Sequence, residues 1–338
     1  MSNTKAVIFG CQGLELTPDE IVFFRENQPW GFILFGRNIA DHDQVRDLVS
    51  SLRGCVPGRH APVLIDQEGG RVQRIRPPLV QKYPSGAELG ALYRIDPEKG
   101  KRAAWLMSRL HAFDLSRYGI DVDCLPVLDV PVEGSNQVIG DRAYGFDPVI
   151  VTDMGQAAAD GLKSGGVLPV MKHMPGHGRG FADSHHELPV VSASLEDLKE
   201  RDFAPFKAMK SELMAMTAHI VYSELDPYAP ATTSPKLIKS IIRDYIGFDG
   251  LLISDDSSMN ALKGTLAERA KAIADNGCDI VLHCNGVMEE MVQVAANVKI
   301  LSGKSAERAD KVLSGFPDKD LSVELDIREE FNAFFAVS

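Results

Sequence analysis

Eight short, nearly uninterrupted apolar runs, separated by segments of helical pattern, constrain this chain more than any other feature. They are Ala6–Phe9, Gly31–Phe35, Pro62–Ile65, Val122–Leu128, Leu168–Met171, Leu213–Ala218, Leu251–Ile253 and Ile280–His283. A strand of a buried parallel sheet is covered on both faces, so it is apolar throughout rather than at alternate positions. The helices between the runs are punctuated. Thr17-Pro18-Asp19-Glu20 joins an N-cap, a first-turn proline and a capping-box acid, and Asp96-Pro97, Asp147-Pro148 and Ser234-Pro235 repeat the cap and proline. Gly54, Gly119, Gly165, Gly247 and Gly277 stand where helices should stop. The pattern predicts helices over Pro18–Gln28, His42–Arg53, Pro97–Tyr118, Pro148–Ser164, Leu195–Lys210, Pro235–Ile246, Leu266–Asn276 and Val287–Leu301. It also predicts an outer helix, Asp326–Phe335, in a tail spanning 317–338. Eight strand–helix repeats predict an α/β fold, a single-domain (β/α)8 TIM barrel spanning 1–338. An open doubly wound sheet is the alternative, but the first run lacks the GxGxxG turn of its dinucleotide-binding version.

Charge narrows the partners. A net charge of −11 argues against broad nucleic-acid or anionic-membrane binding, which need a basic surface. The first apolar run, Ala6–Phe9, is too short for a secretory signal or a membrane span, and the five cysteines are scattered without a CxxC pair. A soluble, cytoplasmic protein with reduced cysteines, acting as a monomer, is the expectation.

In a barrel, chemistry gathers where strands end and the following loops begin. The third run leads into Asp66-Gln67-Glu68-Gly69-Gly70-Arg71 and Arg74. The fourth leads to Asp129 and a loop with Asn136, Gly140 and Arg142. The fifth leads to Lys172-His173, then His177 and Asp183-Ser184-His185-His186, the sixth to His219, and the seventh to Ser254-Asp255-Asp256. Asp255 directly follows a rigid apolar run and is the best nucleophile candidate, because a retaining glycosidase needs a fixed carboxylate to attack an anomeric carbon. Neighbouring strand side chains face opposite ways, so only one of Asp255 and Asp256 can point into a site. Asp183 and His185, two residues apart, suit proton transfer: the carboxylate orients one ring nitrogen and frees the other. Lys172 fits a Schiff base, a donor to sugar hydroxyls or a structural ion pair, while Asp66 and Arg74 fit either a ligand clamp or a salt bridge.

The histidines allow a rival reading, a metal-dependent barrel hydrolase using His173, His177 and His185 with Asp183 and Asp255. Zinc sites do draw ligands from strand ends. No HExxH occurs, however, and the first run ends in Phe9-Gly10-Cys11 without paired histidines.

The run Lys172-His173-Met174-Pro175-Gly176-His177-Gly178, continuing to Asp183-Ser184-His185, closely resembles the signature of family 3 glycoside hydrolases. More narrowly, it resembles the bacterial β-N-acetylglucosaminidase branch. Supporting segments are Gly31–Asn38, Asp66–Arg74, Pro126–Val130, Arg142 with Gly145, and Ser254–Met259. The resemblance implies a retaining exo-enzyme in which Asp255 is the nucleophile, His185 the acid/base and Asp183 its helper. It implies substrate contacts from Asp66, Arg74, Arg142, Lys172 and His173. It also implies a small N-acetylglucosamine-containing peptidoglycan fragment as substrate, with no cofactor and no metal. Met174 stands where phenylalanine is common in the family, and Ala143-Tyr144 where serine-phenylalanine is usual; both changes point to altered packing.

Overall fold

The apolar runs form one parallel sheet that closes on itself. The computed structural model describes residues 3–180 and 188–336. We number the barrel strands β1 (Lys5–Phe9), β2 (Pro29–Leu34), β3 (Val63–Ile65), β4 (Val122–Asp123), β5 (Leu168–Pro169 and Met171–Met174), β6 (Met214–Thr217), β7 (Leu251–Asp256) and β8 (Ile280–His283). Hydrogen bonding orders nine strand segments so that the two pieces of β5, which flank Val170, occupy the two ends of the sheet. Both ends therefore belong to one strand, and the sheet is an eight-stranded barrel. The seam is reinforced where Lys172 N–H donates to the Pro126 carbonyl at 3.0 Å and the Lys172 carbonyl accepts from Leu128 N–H at 2.7 Å.

Alternation along each strand separates two cores. Ala6, Ile8, Ile33, Leu64, Val122, Met216, Ile253 and Leu282 belong to one apolar cluster, which fills the barrel interior. Val7, Phe9, Phe32, Val63, Ala215, Leu252 and Val281 belong to another, packed with helix residues such as Phe24, Leu48, Leu162 and Ile273. Each strand is thus apolar on both faces.

The expected strands are all present, but three ends differ. β4 is short because Pro126 has no N–H to continue the ladder, and pairing resumes only at Val127, which bridges to Lys172. β5 runs on to Met174 and β7 to Asp256, so Lys172, His173, Asp255 and Asp256 lie within strands rather than after them. The helix expected over Leu195–Lys210 is interrupted by a wider turn at Leu198–Asp202. The helix expected over Val287–Leu301 is Met288–Asn297, and a further one, Gly303–Ser314, follows it. Its Ala309 and Val312 join the interior cluster.

The tail forms the helix Glu324–Ala333. Its Ile327 and Phe331 are buried, and Arg328 bonds Asp114 at 3.0 Å while Glu330 bonds Arg102 at 2.6 Å. An unforeseen helix, Gly86–Ile95, presses against the segment that carries Arg142. A Cβ on Gly90 would overlap the Tyr144 carbonyl, and one on Gly86 the Arg142 carbonyl, so the helix touches that segment backbone to backbone. Gly90→Ala is expected to cost about 1–3 kcal/mol by overpacking. Thermal unfolding and KM report it, because displacing Tyr144 moves Arg142 as well.

No described helix is long and apolar enough to cross a membrane.

Candidate active site

The sequence Asp66–Arg74 builds one wall of the site through its own hydrogen bonds. Gln67–Gly69 pairs antiparallel with Val72–Gln73 around Gly69 and Gly70, whose φ angles of 95° and 57° suit glycine. Gln67 is buried; its side-chain oxygen accepts from the backbone N–H groups of Arg74 and Ile75, each at 3.1 Å, and its amide donates to the Ile75 carbonyl. Gln73 donates to the Ile75 and Gln81 carbonyls and accepts from Tyr83 N–H. Two glutamines thus fix the turn that carries Arg74 back toward Asp66.

Five charges then interlock above β3 and β5. Lys172, 2 % exposed, places Nζ 2.8 Å from Asp66 Oδ1 and 2.6 Å from Glu68 Oε1. Arg74 Nη2 holds the other Asp66 oxygen at 2.9 Å, and Arg142 grips both Glu68 oxygens at 2.8 Å. Burial pushes the Asp66 carboxyl up, but Lys172 and Arg74 outweigh it and hold the group well below its ordinary range. Burial likewise raises Glu68, and Arg142 with Lys172 brings it down to about 2. Desolvation lowers Lys172, and the two carboxylates more than reverse this, so its ammonium persists. With two anions and three cations the cluster is fully ionised. Such groups suit sugar hydroxyls: carboxylates accept from them, and ammonium and guanidinium donate to them.

On the adjoining side, buried Asp129 organises both histidines. Its Oδ2 accepts from His173 Nδ1 at 2.7 Å, and its Oδ1 accepts from the backbone N–H groups of His173 and His177, at 3.2 and 2.6 Å. This contact fixes the His173 tautomer and leaves Nε2 for a ligand. The Lys172–His173 peptide is cis. The His177 ring packs edge-on against His173 at 5.8 Å, and desolvation lowers its pKa to about 4, so it is neutral.

Asp255 and Asp256 separate cleanly. Asp256 is spent on structure: its carboxylate accepts from Ser258 N–H at 3.0 Å, the Ser258 hydroxyl at 2.5 Å and Cys284 N–H at 3.2 Å. Among the described residues, Asp255 accepts one bond, from Asp256 N–H at 2.8 Å. Burial would raise the Asp255 carboxyl, but His219, His173 and that N–H together bring it below its ordinary value. His219, fully buried, contacts the Asp256 carbonyl through Nε2 at 3.0 Å and Thr232 through Nδ1 at 2.7 Å, bracing the end of β7.

Asp66, Arg74, Arg142, Lys172, His173, His177, Asp255 and Asp256 all line one cavity of about 360 Å³. That lies at the small end of the range for ligand sites and suits one sugar ring. Asp183 and His185 lie outside the described residues. Two contributors had no role assigned from sequence, Glu68 and Asp129. Glu68 was hinted at by its spacing of two from Asp66, which places both carboxylates on one side of an extended chain. Asp129 meets His173 only across the barrel seam, and no local pattern announces it. Among the described residues, no group of three or more His, Cys, Asp or Glu side chains is placed to hold a metal ion.

The glycosyl hydrolase family 3 N terminal domain matches residues 23–314. A β-hexosaminidase of Methylococcus capsulatus is 39% identical over 282 residues, covering 82% of this chain and 82% of its own length. One from Stenotrophomonas maltophilia is 36% identical over 287 residues, covering 82% of this chain and 83% of its own. The crystal structure of NagZ from Neisseria gonorrhoeae in complex with N-trifluoroacetyl-D-glucosamine superposes with a TM-score of 0.85 at 30% identity, covering 98% of this chain and 96% of that one.

Proposed function

Because the chain belongs to glycosyl hydrolase family 3, we propose that it is a retaining exo-β-N-acetylglucosaminidase, releasing terminal N-acetylglucosamine from peptidoglycan fragments in the cytoplasm as a monomer. The relatives named β-hexosaminidase and the NagZ complex with a glucosamine derivative support the choice of sugar. The observation that carries the chemistry is Asp255: a strand-fixed carboxylate, held ionised, lining a cavity sized for one sugar.

In this reading Asp66, Arg74, Arg142, Lys172 and His173 grip the hydroxyl and acetamido groups. Asp255 attacks the anomeric carbon as the glycosidic bond breaks. His185, assisted by Asp183, gives its proton to the departing oxygen. Water then attacks the glycosyl–Asp255 ester, His185 takes the water's proton, and the carboxylate leaves with the anomeric configuration retained. No metal or cofactor enters these steps.

Side-by-side assays with an aryl N-acetyl-β-glucosaminide and an aryl β-glucoside, each with and without chelator, test the reading. Preference for the first, unaffected by chelator, is expected; a faster glucoside or loss of activity on chelation contradicts it. His185→Ala is expected to lower kcat/KM about 10²- to 10⁴-fold for a poor sugar leaving group. A nitrophenyl leaving group, which departs with little protonation, should lose far less. Equal losses for both substrates count against His185 as the acid.

A further inference from the structure

Asp123 interrupts the apolar layer between the barrel and its helices. β4 turns Val122 into the barrel interior, and Cys124, just past its end, joins the same cluster. Asp123 between them therefore faces outward, toward the helix Pro97–Ser116. Val63, Ile65 and Leu252 fill that layer from other strands. Asp123 is fully buried, and a carboxyl in such a place costs folding energy unless it is paired or used.

Its two oxygens differ. Oδ1 accepts from Gln67 N–H at 3.0 Å, the N–H of the peptide that joins Asp66 to Gln67. Oδ2 lies 3.7 Å from His111 Nδ1, on the facing helix, and has no hydrogen-bond partner among the described residues. His111 is fully buried too, its ring edge-on to Tyr83 at 4.6 Å.

We infer that Asp123 is a positioning residue for sugar binding, a neutral acid that holds Gln67 N–H from beneath and so fixes how Asp66 and Glu68 meet Lys172. The inference rests on the cavity above being the N-acetylglucosamine site. Since Oδ1 accepts from Gln67, the proton resides on Oδ2, facing His111. Burial raises the Asp123 carboxyl well above its ordinary range; Gln67 N–H and Lys172 pull it down, and Asp66 and Glu68 push it up again. The groups packed around it supply no further cation. Burial takes His111 down to about 3, and it raises the Tyr144 hydroxyl and the Cys124 thiol, so all three are neutral. Lys172 is already shared, at 2.8 Å from Asp66 and 2.6 Å from Glu68. A third anion would compete for it. A neutral acid accepts the Gln67 bond without doing so.

The test compares Asp123→Asn, which keeps an acceptor for Gln67, with Asp123→Leu, which does not. An infrared difference between wild type and Asp123→Asn at neutral pH should show the carbonyl stretch of one protonated carboxyl, displaced in heavy water. KM for an aryl N-acetyl-β-glucosaminide should stay within about twofold of wild type in Asp123→Asn. It should rise about five- to tenfold in Asp123→Leu, with kcat changed less than about threefold. If the leucine variant does not fold, Asp123→Ala, which also lacks the acceptor, carries the same expectation. Stability gives a readout without substrate. The folded-state pKa of Asp123 is raised, so its contribution is fully present below the unfolded carboxylate range and is lost as pH rises above it. Asparagine does not titrate, so the urea midpoint of Asp123→Asn should gain on wild type from pH 4 to pH 7. No protonated-carboxyl band, or a midpoint that falls behind wild type over that rise, overturns the neutral acid. An unchanged KM in the leucine or alanine variant overturns the positioning role. Failure of the wild type to cleave the aryl N-acetyl-β-glucosaminide instead overturns the N-acetylglucosaminidase reading itself.

Discussion

Replacing Asp255 with alanine should lower kcat roughly 10⁴- to 10⁶-fold, the scale seen when a covalent nucleophile is removed. The protein should still bind N-acetylglucosamine. The reason for the split is spatial. The binding charges come from β3, β5 and the loop bearing Arg142, while Asp255 comes from β7 and pairs with none of them. Its carboxylate is braced by Asp256 N–H, and Asp256 is in turn fixed by Ser258 and Cys284, so the truncation leaves the end of the strand in place. Turnover of an aryl substrate and calorimetric titration with the free sugar measure the two effects separately. A variant that loses binding as completely as turnover would show that Asp255 grips the ground state.

Lys172→Met should be the most damaging single change to the fold, at about 3–5 kcal/mol, because it strips the shared cation from two buried carboxylates. Arg74 and Arg142 remain, one for each, but the positions that faced Nζ are left desolvated. The pH dependence follows from the direction of the shifts. Asp66 and Glu68 have depressed folded-state pKa values, so their contribution is fully present above the unfolded carboxylate range. It is lost as pH falls through that range toward the folded values, about 2 for Glu68. Without Lys172 both carboxyls titrate higher, and acid destabilisation should begin closer to neutrality. Urea midpoints between pH 7 and pH 4 measure this. A loss below about 1 kcal/mol, the scale of an exposed pair, would show that the ion cluster is not a desolvated unit.

Much of the barrel is legible in the sequence because each parallel strand carries its signal locally, as an apolar run between caps and glycines. The strand ends are less legible. Lys172-His173 and Asp255-Asp256 look like the start of loops, since charge ends an apolar run. They continue their strands because partners elsewhere in the chain, Glu68 and Asp66 for Lys172 and Asp129 for His173, meet the cost of burying them. The helix Gly86–Ile95 did have a signal, the Ser85–Glu88 capping box, in which each side chain satisfies the other's backbone N–H. The helix Gly303–Ser314 lacks a cap, since Ser302 makes no side-chain hydrogen bond, and its signal is only the helical period of Ala306, Ala309, Val312 and Leu313. Within the site, a two-residue period shows that Asp255 and Asp256 differ in direction, but both reach the cavity wall, and it does not show which carboxylate is engaged by its neighbours. The bonds from Ser258 and from Cys284 N–H, which arrives from the end of β8, mark Asp256 as the structural member.

The most direct measurement is to trap the reaction midway. A fluorinated N-acetylglucosaminyl substrate that forms the glycosyl-enzyme faster than it breaks down should add one sugar mass to the protein. Peptide mapping should then place that mass on Asp255, with product of retained configuration released on turnover. A label on any other residue, or product of inverted configuration, would contradict the proposal that this carboxylate bonds to the sugar.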